Sequence, residues 1–168
     1  MQQAPLMSSR KEFLATVAGL GVAVAATSAF GTTPAAALDL RLKQLADYEA
    51  IRTLTARYAT LIARGEAAKA SALFTDDGRF VSRQDVRGRA ALEAMYAAIK
   101  PGNAFPLITN HLITLNGTTA TGTCTFYSPF THQSGPSLCG AYADKYAFVE
   151  DKWLFSERVF HRHDGPPP

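Results

Sequence analysis

After position 37, the first group of apolar residues recurs at the spacing of an α-helix. In residues 38–64 they fall at three- and four-residue steps along one stripe: Leu42, Leu45, Tyr48, Ile51, Leu54, Thr55, Tyr58, Leu61 and Ile62. This spacing predicts one long amphipathic helix, which ends at Gly65 because a residue without a Cβ tolerates positive φ. The sequence next predicts a shorter helix over 66–74 and a third helix over 89–100. Four residues of the third helix are expected to face inward: Leu92, Met95, Tyr96 and Ile99.

Later in the chain the hydrophobic period changes from about 3.6 to 2. Residues 75–78 form a polar turn cluster, and one or two short strands are expected within 79–87. The Asn116-Gly117 pair predicts a hairpin with a type I′ turn. The alternating segments predict four strands, over 107–115, 118–130, 138–149 and 153–161.

Helices followed by antiparallel strands predict an α+β fold. The last strand carries apolar groups on both faces, with Trp153, Phe155 and Val159 on one and Leu154 and Phe160 on the other. Helices can cover only one face of the sheet, and a sheet exposed on its other face alternates more cleanly. We therefore expect a homodimer in which the outer sheet face meets a second copy.

The first 37 residues have a different character. Arg10 and Lys11 precede an uncharged run over 15–30, and Ala35-Ala36-Ala37 supplies small residues before Leu38. This order is typical of a cleaved export signal, so a periplasmic or secreted protein is expected that meets a membrane only transiently. An uncleaved anchor and an ordered helix of the fold are the alternatives.

The start of this segment resembles a twin-arginine signal in which Lys11 replaces the second arginine, so the general secretion route stays open. The remaining chain divides into a domain over 38–163 and a disordered tail over 164–168.

Composition limits the classes of function. The chain has 168 residues, a formal net charge of +3 and 47% hydrophobic residues. These values are typical of one globular domain and argue against disorder and against a nucleic-acid surface. The two cysteines and four histidines lack CxxC and HxxxH spacing, so no structural zinc site is expected. Neither a metal nor an organic cofactor is predicted.

Cys124 and Cys139 flank the loop between two predicted strands. In a symmetric hairpin they lie opposite each other, and export places them in an oxidising compartment. A disulfide and two free, buried cysteines are both compatible with this pattern.

Short motifs follow one another in a fixed order along the chain. They are Ile51-x-x-Leu54-x-x-x-Tyr58, Leu73-Phe74-Thr75-Asp76-Asp77, Gly88-Arg89-x-x-Leu92, Thr109-Asn110-His111-Leu112-Ile113, Tyr142-x-Asp144-x-Tyr146, Trp153-x-Phe155 and Arg158. No single motif is specific, but their order and spacing resemble a SnoaL-like domain of the nuclear transport factor 2-like superfamily, which includes polyketide cyclases, scytalone dehydratase and ketosteroid isomerase. The resemblance implies a cone, in which a curved mixed or antiparallel sheet wraps around about three N-terminal helices and encloses an apolar pocket.

The resemblance also implies a site for acid–base chemistry. Many members use an aspartate near the end of the long helix and a histidine on the first strand of the meander. Alignment places these positions at Ala63 and Pro106, neither of which can titrate. His111, with Asp144, is the substitute catalytic pair, but it lies an odd step after Pro106 and reaches the same face only across a β-bulge. The alternative is a structural or dimer-face histidine.

Small residues on one face of the long helix, Ala56, Ala59 and Thr60, predict free volume beneath the sheet. For the tyrosines near it, packing with a satisfied hydroxyl is the alternative to ligand contact. The candidate ligand-binding residues are Tyr58, Ala59, Ala63, Tyr127, Tyr142, Tyr146 and Arg158.

Three functions follow from these observations. The first is a pocket domain that binds a small apolar or cyclic molecule, such as a polyketide-, steroid- or aromatic-like compound. The second is a cofactor-free lyase, isomerase or cyclase with a rearranged acid–base site around His111. The third is a non-catalytic accessory subunit that uses its open sheet face.

Overall fold

The computed structural model describes residues 33–102, 104–129 and 138–163. Over these ranges, three helices accompany a six-stranded mixed sheet, and the predicted α+β fold class is confirmed. The helices are α1 (Pro34–Arg64), α2 (Ala67–Ser71) and α3 (Arg89–Ala97). The strands are β1 (Phe74–Val81), β2 (Asp85–Arg87), β3 (Leu107–Asn116), β4 (Thr119–Ser128), β5 (Leu138–Val149) and β6 (Lys152–Arg162).

The sheet has the strand order β2-β1-β6-β5-β4-β3. Strand β1 runs parallel to β6, and the other neighbouring pairs are antiparallel. The last strand in sequence therefore lies inside the sheet and joins β1 and β2 to the remaining strands. None of the helices within the described ranges is long and apolar enough to cross a membrane.

The core lies between the inner face of the sheet and the helices. On α1 the buried stripe includes Ile51, Leu54, Tyr58 and Ile62, at the predicted helical spacing, whereas Leu42 and Leu45 of the predicted stripe are exposed. Burying one such side chain stabilises the fold by about 1.5–3 kcal/mol. A polar contact fixes the helix to the sheet, because Trp153 Nε1 donates to Asp47 Oδ1 at 2.9 Å.

A β-bulge in β3 directs His111 towards the helices. Between Thr109 and Leu112, two residues of β3, Asn110 and His111, lie opposite one residue of β4, Cys124. Asn110 takes up the irregularity with a φ of 54°. The bulge reverses the alternation, so that Leu112 is 74% exposed while His111 is half-buried.

A second irregularity lies between β5 and β6. Tyr146 pairs with Phe155, whereas the preceding residue Lys145 pairs with Glu157, so Ser156 is the additional residue on β6. One extra residue moves every later side chain of the strand to the opposite face.

This bulge corrects the predicted faces of β6. Phe160 lies inside, with its ring centroid 5.2 Å from that of Phe126, although the alternation placed it opposite Phe155. Arg158 is fully buried on the same inner side. Val159, predicted to share the face of Phe155, therefore belongs to the outer face.

Strand β1 begins earlier than the sequence indicated. The predicted helix over 66–74 ends at Ser71, and the predicted turn 75–78 is part of β1. Phe74 pairs with Phe155, and Phe155 N donates to Leu73 O at 3.0 Å. Pairing with β6 thus overrides the local turn propensity of these polar residues.

The predicted N-terminal segment overlaps the start of helix α1. Helix α1 begins at Pro34, so the expected cleavage position at Ala35-Ala36-Ala37 lies in its first turn. The rest of the predicted export signal, residues 1–32, lies outside the described residues. The same holds for Phe130 at the end of the predicted strand over 118–130, for the predicted loop over 131–137 and for the predicted tail 164–168.

The hairpin turns also differ in detail. Asn116 pairs with Thr119, so the loop between β3 and β4 is Gly117-Thr118, with positive φ only at Gly117. The predicted type I′ turn is therefore absent there. Positive φ at two successive central residues occurs instead between β5 and β6, at Glu150 (49°) and Asp151 (59°).

Of the two alternatives for Cys124 and Cys139, the disulfide is not formed. Cys124 pairs with Tyr142, whereas Cys139 pairs with Tyr127. The hairpin is therefore not symmetric about its two cysteines, which lie on opposite faces of the sheet. Both cysteines are free.

Candidate functional site

A cavity of about 280 Å³ lies between the sheet and helices α1 and α3. Its lining is largely aromatic and aliphatic, and its polar groups are tyrosine and serine hydroxyls and one amide. The lining residues are Tyr58, Ile62, Phe80, Ser82, Gln84, Met95, Tyr96, Ile99, Ala104, Pro106, Phe126, Ser128, Leu138 and Tyr142. None of these side chains carries a formal charge, which favours an uncharged occupant.

Three buried tyrosines meet at this cavity. The ring of Tyr58 packs edge to face against Tyr96 and Tyr142, with centroid distances of 5.9 and 6.3 Å. Burial raises the pKa of all three phenols above the ordinary value of 10.0, so they remain protonated at physiological pH. The Oη atom of Tyr96 is buried beside the hydroxyl of Tyr58, but it makes no well-aligned hydrogen bond with any residue described. Leaving such a group unsatisfied costs about 1–3 kcal/mol, which a ligand acceptor can recover.

Ser128 adds a second hydroxyl to the lining. Its Oγ accepts a hydrogen bond from Phe105 N at 3.1 Å. Because a hydroxyl can donate and accept at once, the Ser128 hydroxyl still has a proton that it can donate to another acceptor.

Behind the tyrosines lies a buried ion pair. Arg158 donates from Nε to Asp144 Oδ1 at 2.8 Å and from Nη2 to Oδ2 at 2.7 Å. Neither side chain is exposed to solvent. Tyr146 donates its hydroxyl to Asp144 Oδ2 at 2.9 Å. This bidentate geometry with a further hydrogen bond compensates much of the cost of two buried charges, while Arg158 Nη1 is buried without a partner among the described residues.

The tyrosine rings separate the ion pair from the cavity. The guanidinium carbon of Arg158 lies 4.5 Å from the ring centroid of Tyr58 and 4.1 Å from that of Tyr142. Both rings also line the cavity, whereas Arg158 and Asp144 do not. Cavity and ion pair are therefore adjacent compartments with aromatic rings between them.

Cys124 belongs to the ion-pair compartment. Its Sγ lies 3.8 Å from Asp144 Oδ2. Burial raises the pKa of this thiol to about 12. The thiol is therefore protonated and unsuited to act as a nucleophile.

His111 faces inward but does not form a dyad. Its Nε2 atom is buried and, within the described ranges, has no hydrogen-bond partner. Burial lowers the pKa of His111, and the positive charge of Arg158 lowers it further, so the imidazole is neutral at pH 7. Both oxygens of Asp144 are hydrogen-bonded to Arg158, and one also to Tyr146. The two residues predicted as a catalytic pair thus lie in one region without hydrogen bonding to each other.

The remaining predicted site residues divide into three groups. Tyr58 and Tyr142 line the cavity, while Tyr146 and Arg158 belong to the ion-pair compartment. Tyr127 is 43% exposed and pairs in register with Cys139, away from the cavity lining. The half-buried Ala59 and Ala63 of α1 are outside the lining as well.

The prediction that small residues on one face of α1 create the cavity was wrong. Ala56 and Thr60 are exposed, so these small residues do not face the sheet. Helix α1 instead presents Tyr58 and Ile62 to the cavity, at helical spacing on its buried stripe. Pro106, at the expected histidine position, is buried in the lining.

Sequence reasoning missed several lining residues, above all Tyr96. The apolar stripe of α3 correctly predicted that Met95, Tyr96 and Ile99 face inward, but it did not distinguish packing from a cavity wall. Among the described residues, no group of three or more histidine, cysteine or acidic side chains is arranged to hold a metal ion.

Comparisons with known proteins agree with this architecture. The model of the SnoaL-like domain family matches residues 43–159. An NTF2-like protein with a cystatin-like fold from Novosphingobium aromaticivorans is 25% identical, with a TM-score of 0.67 over 81% of this chain and 94% of that one. Rv3472, a protein of unknown function from Mycobacterium tuberculosis, is 24% identical, with a TM-score of 0.67 over 72% of this chain and 74% of that one.

A third structure is that of a putative scytalone dehydratase from Novosphingobium aromaticivorans. It is 20% identical, with a TM-score of 0.63 over 72% of this chain and 87% of that one. No curated protein sequence matches this chain.

Proposed function

Because this chain belongs to the SnoaL-like domain family of the nuclear transport factor 2-like superfamily, we propose that it is a pocket protein that binds a small apolar, cyclic molecule. The binding site is the cavity of about 280 Å³ between the sheet and helices α1 and α3. The observation that carries this proposal is the uncharged, largely aromatic lining of the cavity.

A purely structural role explains these features less well. Protein interiors are close-packed, and their buried polar groups are almost always hydrogen-bonded. A ligand that fills the space between Tyr58, Tyr96 and Tyr142 restores both packing and hydrogen bonding. The ion pair of Asp144 and Arg158 then supports the tyrosine rings from the side away from the cavity, and its two opposite charges neutralise each other.

A cavity-filling variant tests the proposal. Ala104 lines the cavity, so Ala104→Phe places a ring inside it. Ala94→Phe is the matched control, because Ala94 is exposed on α3. Binding of indole, naphthalene and related small cyclic compounds is measured by calorimetry and by the melting temperature.

We expect at least one of these compounds to stabilise the wild-type protein. At a free concentration of one hundred times Kd, the stabilisation is about 2.7 kcal/mol, which raises the melting temperature by several degrees. Ala104→Phe should lose the effect and Ala94→Phe should keep it. The proposal fails if no compound binds or if Ala104→Phe binds as tightly as the wild type.

His111 supports catalysis as a second candidate function. The bulge in β3 turns its imidazole inward, and the neutral ring offers a buried Nε2 atom without a partner among the described residues. A neutral imidazole is a competent general base for a cofactor-free lyase or isomerase. Binding is favoured over this alternative because His111 does not line the cavity and is not hydrogen-bonded to Asp144.

Paired histidine variants distinguish catalysis from binding. Any turnover of cyclic ketones by the wild type should fall about 100-fold or more in His111→Gln if this residue is the base. His161→Gln is the control, since His161 is exposed near the end of β6. Turnover that survives His111→Gln removes His111 from the mechanism.

Association through the outer sheet face is part of the proposal. Leu107, Leu112 and Tyr127 are exposed there, by 48%, 74% and 43% respectively. Leu107 and Tyr127 lie opposite each other on neighbouring strands, and exposed apolar groups that lie together are typical of interfaces. Sedimentation should show a homodimer that Leu112→Asp dissociates, while Leu40→Asp, an exposed leucine of α1, leaves it intact. A monomeric wild type or a dimer insensitive to Leu112→Asp contradicts this arrangement, and a monomer would favour an accessory subunit with a different partner.

Export through the N-terminal residues is the remaining part of the proposal. Cell fractionation followed by N-terminal sequencing tests it. A cytoplasmic protein that keeps Met1 would exclude export.

A further inference from the structure

Helix α1 carries a second apolar stripe on the side that faces away from the sheet. Leu38, Leu42 and Leu45 each precede a buried residue of α1 by nine positions (38 and 47, 42 and 51, 45 and 54). Nine residues make about two and a half helical turns, so the two stripes lie on opposite sides of the helix. The three leucines are 58%, 55% and 64% exposed. They therefore contribute little to the core of their own chain.

The stripe continues along the outer side of α1 in alternating steps of four and three residues. This alternation is the spacing at which two helices pair side by side. Beyond the leucines it places one acid, one base and three alanines, all exposed or half-buried. The whole set, called the outer seam, is Leu38, Leu42, Leu45, Glu49, Arg52, Ala56, Ala59 and Ala63. Every member lies after residue 37, so the seam is present whether or not residues 1–37 are removed.

We propose that the outer seam is a docking surface for a second copy of this chain, on which two α1 helices pair in antiparallel direction about a two-fold axis. Glu49 of each copy then lies opposite Arg52 of the other. The seam is distinct from the outer sheet face, because α1 packs on the inner face of the sheet and the seam points away from it. The inference goes beyond the proposed function and does not depend on ligand binding.

The sizes of the side chains fit this antiparallel register. With residue 49 opposite residue 52, every leucine of the seam faces an alanine of the second copy. The facing pairs are Leu45 and Ala56, Leu42 and Ala59, and Leu38 and Ala63. A large side chain opposite a small one fills each layer while the helix axes stay about 8–10 Å apart. Each pair occurs twice, as a two-fold interface requires.

The charges at the centre of the seam select the direction of pairing. In the part of the chain that the structure describes, Glu49 and Arg52 are exposed and neither forms an ion pair. Antiparallel pairing joins them in two ion pairs between the copies, whereas parallel pairing sets like charges against each other. Such charges fix partner and register more than they add affinity.

The seam therefore complements itself both in size and in charge. A second copy of the chain requires this self-complementarity, since the same patch must serve on both sides of a two-fold interface. An unrelated protein or a lipid surface requires none. We infer from this that the occupant is a second copy rather than another partner.

The interface is small and its affinity is low. Eight side chains from each copy are fewer than the roughly 20–30 residues that each side of a standard interface contributes. Small interfaces belong to weak, transient complexes, and we expect a dissociation constant on the order of 10–100 μM. Below about 5 μM the seam contributes little, so it does not obscure association through the outer sheet face.

Sedimentation equilibrium of the full chain between about 5 and 500 μM tests the pairing. The Leu112→Asp background prevents a contribution from the outer sheet face, so a monomer–dimer equilibrium reports on the seam. Leu42→Gln in this background should raise the dissociation constant about tenfold or more. Leu40→Gln is the matched control, because Leu40 is 54% exposed, as Leu42 is 55%, but is not part of the seam. It should leave the dissociation constant unchanged.

Charge reversal tests the register. Glu49→Arg sets two arginines opposite each other, and Arg52→Glu sets two glutamates opposite each other, so each variant alone should associate about tenfold more weakly or worse. Mixed in equal amounts, the two variants are complementary at both central positions and should associate as tightly as the parent. No ion pair within one chain can explain that recovery, because each variant carries like charges at residues 49 and 52. Unchanged melting temperatures show that the variants are folded.

Three outcomes overturn the inference. A Leu112→Asp protein that stays monomeric at every concentration refutes it and leaves the seam to another partner or to residues 1–32 of the same chain. A dimer that survives both charge reversals refutes the antiparallel register. Single variants that fail to recover on mixing show that the reversals act by another route than opposed charges. Ligand binding in the cavity is measured separately, so none of these outcomes decides the proposed function.

Discussion

Removal of the Asp144 carboxylate tests how much stability depends on the buried ion pair. Asp144→Ala deletes the acceptor of two Arg158 hydrogen bonds, of 2.8 and 2.7 Å, and of the Tyr146 hydroxyl at 2.9 Å. Both charged side chains have no solvent exposure, so the guanidinium is left without a counterion or water. Breaking a buried pair in this way costs about 3–5 kcal/mol. Since a domain has a total stability of about 5–15 kcal/mol, the variant should be strongly destabilised.

Urea unfolding measures this loss. The protein has one tryptophan, and Trp153 is buried on β6, so its fluorescence reports on the strand that carries Arg158. The reasoning is refuted if Asp144→Ala lowers the free energy of unfolding by less than about 1 kcal/mol, because so small a loss is typical of weak, solvent-exposed ion pairs.

The reverse variant, Arg158→Met, removes the other member of the pair. It leaves the Asp144 carboxylate buried without a cation, which should also cost about 3–5 kcal/mol. Urea unfolding measures this loss as well, and a decrease of less than about 1 kcal/mol would contradict the buried pairing.

The double variant Asp144→Leu/Arg158→Met completes a cycle with the single variants Asp144→Leu and Arg158→Met. Replacing both charges by apolar groups is expected to change the stability by less than about 1 kcal/mol, or to increase it by up to about 4 kcal/mol. If the double variant instead loses as much as the two single variants together, the residues are not coupled, and the ion-pair interpretation is wrong.

Three further predictions concern the rest of the chain. The double replacement Glu150→Asn/Asp151→Gly should raise the free energy of unfolding in urea by about 1–2 kcal/mol, because two non-glycine residues have positive φ there; an unchanged midpoint would contradict it. Stability should fall as the pH drops below 6.5, since the folded state holds His111 neutral, and His111→Gln should flatten this slope; an equal slope in the variant assigns it to other groups. A thiol titration in denaturant should find both Cys124 and Cys139 free, and loss of either thiol signal would indicate a bridge.

Periodicity predicted the regular elements well. The buried stripe of α1 and the bounds of β5, Leu138–Val149, follow directly from the spacing of apolar residues. Local sequence patterns predicted the structure less well where pairing with a distant strand determines it. Residues 75–78 resemble a turn, yet β6 pairs with this segment and makes it part of β1.

The candidate site could be predicted only in part because two bulges decide it. His111 and Arg158 both face inward after an extra residue has reversed the alternation of their strands. A bulge depends on the pairing between strands, so it leaves no fixed pattern in one strand. The inward orientation of Tyr96 could be predicted from helical spacing, but its free hydroxyl depends on the distances to neighbouring elements.

The central position of β6 constrains how the protein is made. Strands β1 and β2 join the rest of the sheet only through β6, which is synthesised after the other five described strands. Arg79 must find Glu157 across most of the domain, and such non-local pairing is slow. The nascent chain therefore cannot complete its sheet before β6 has been synthesised. A chain truncated before β6 leaves both β1 and β5 with an open edge, where aggregation begins.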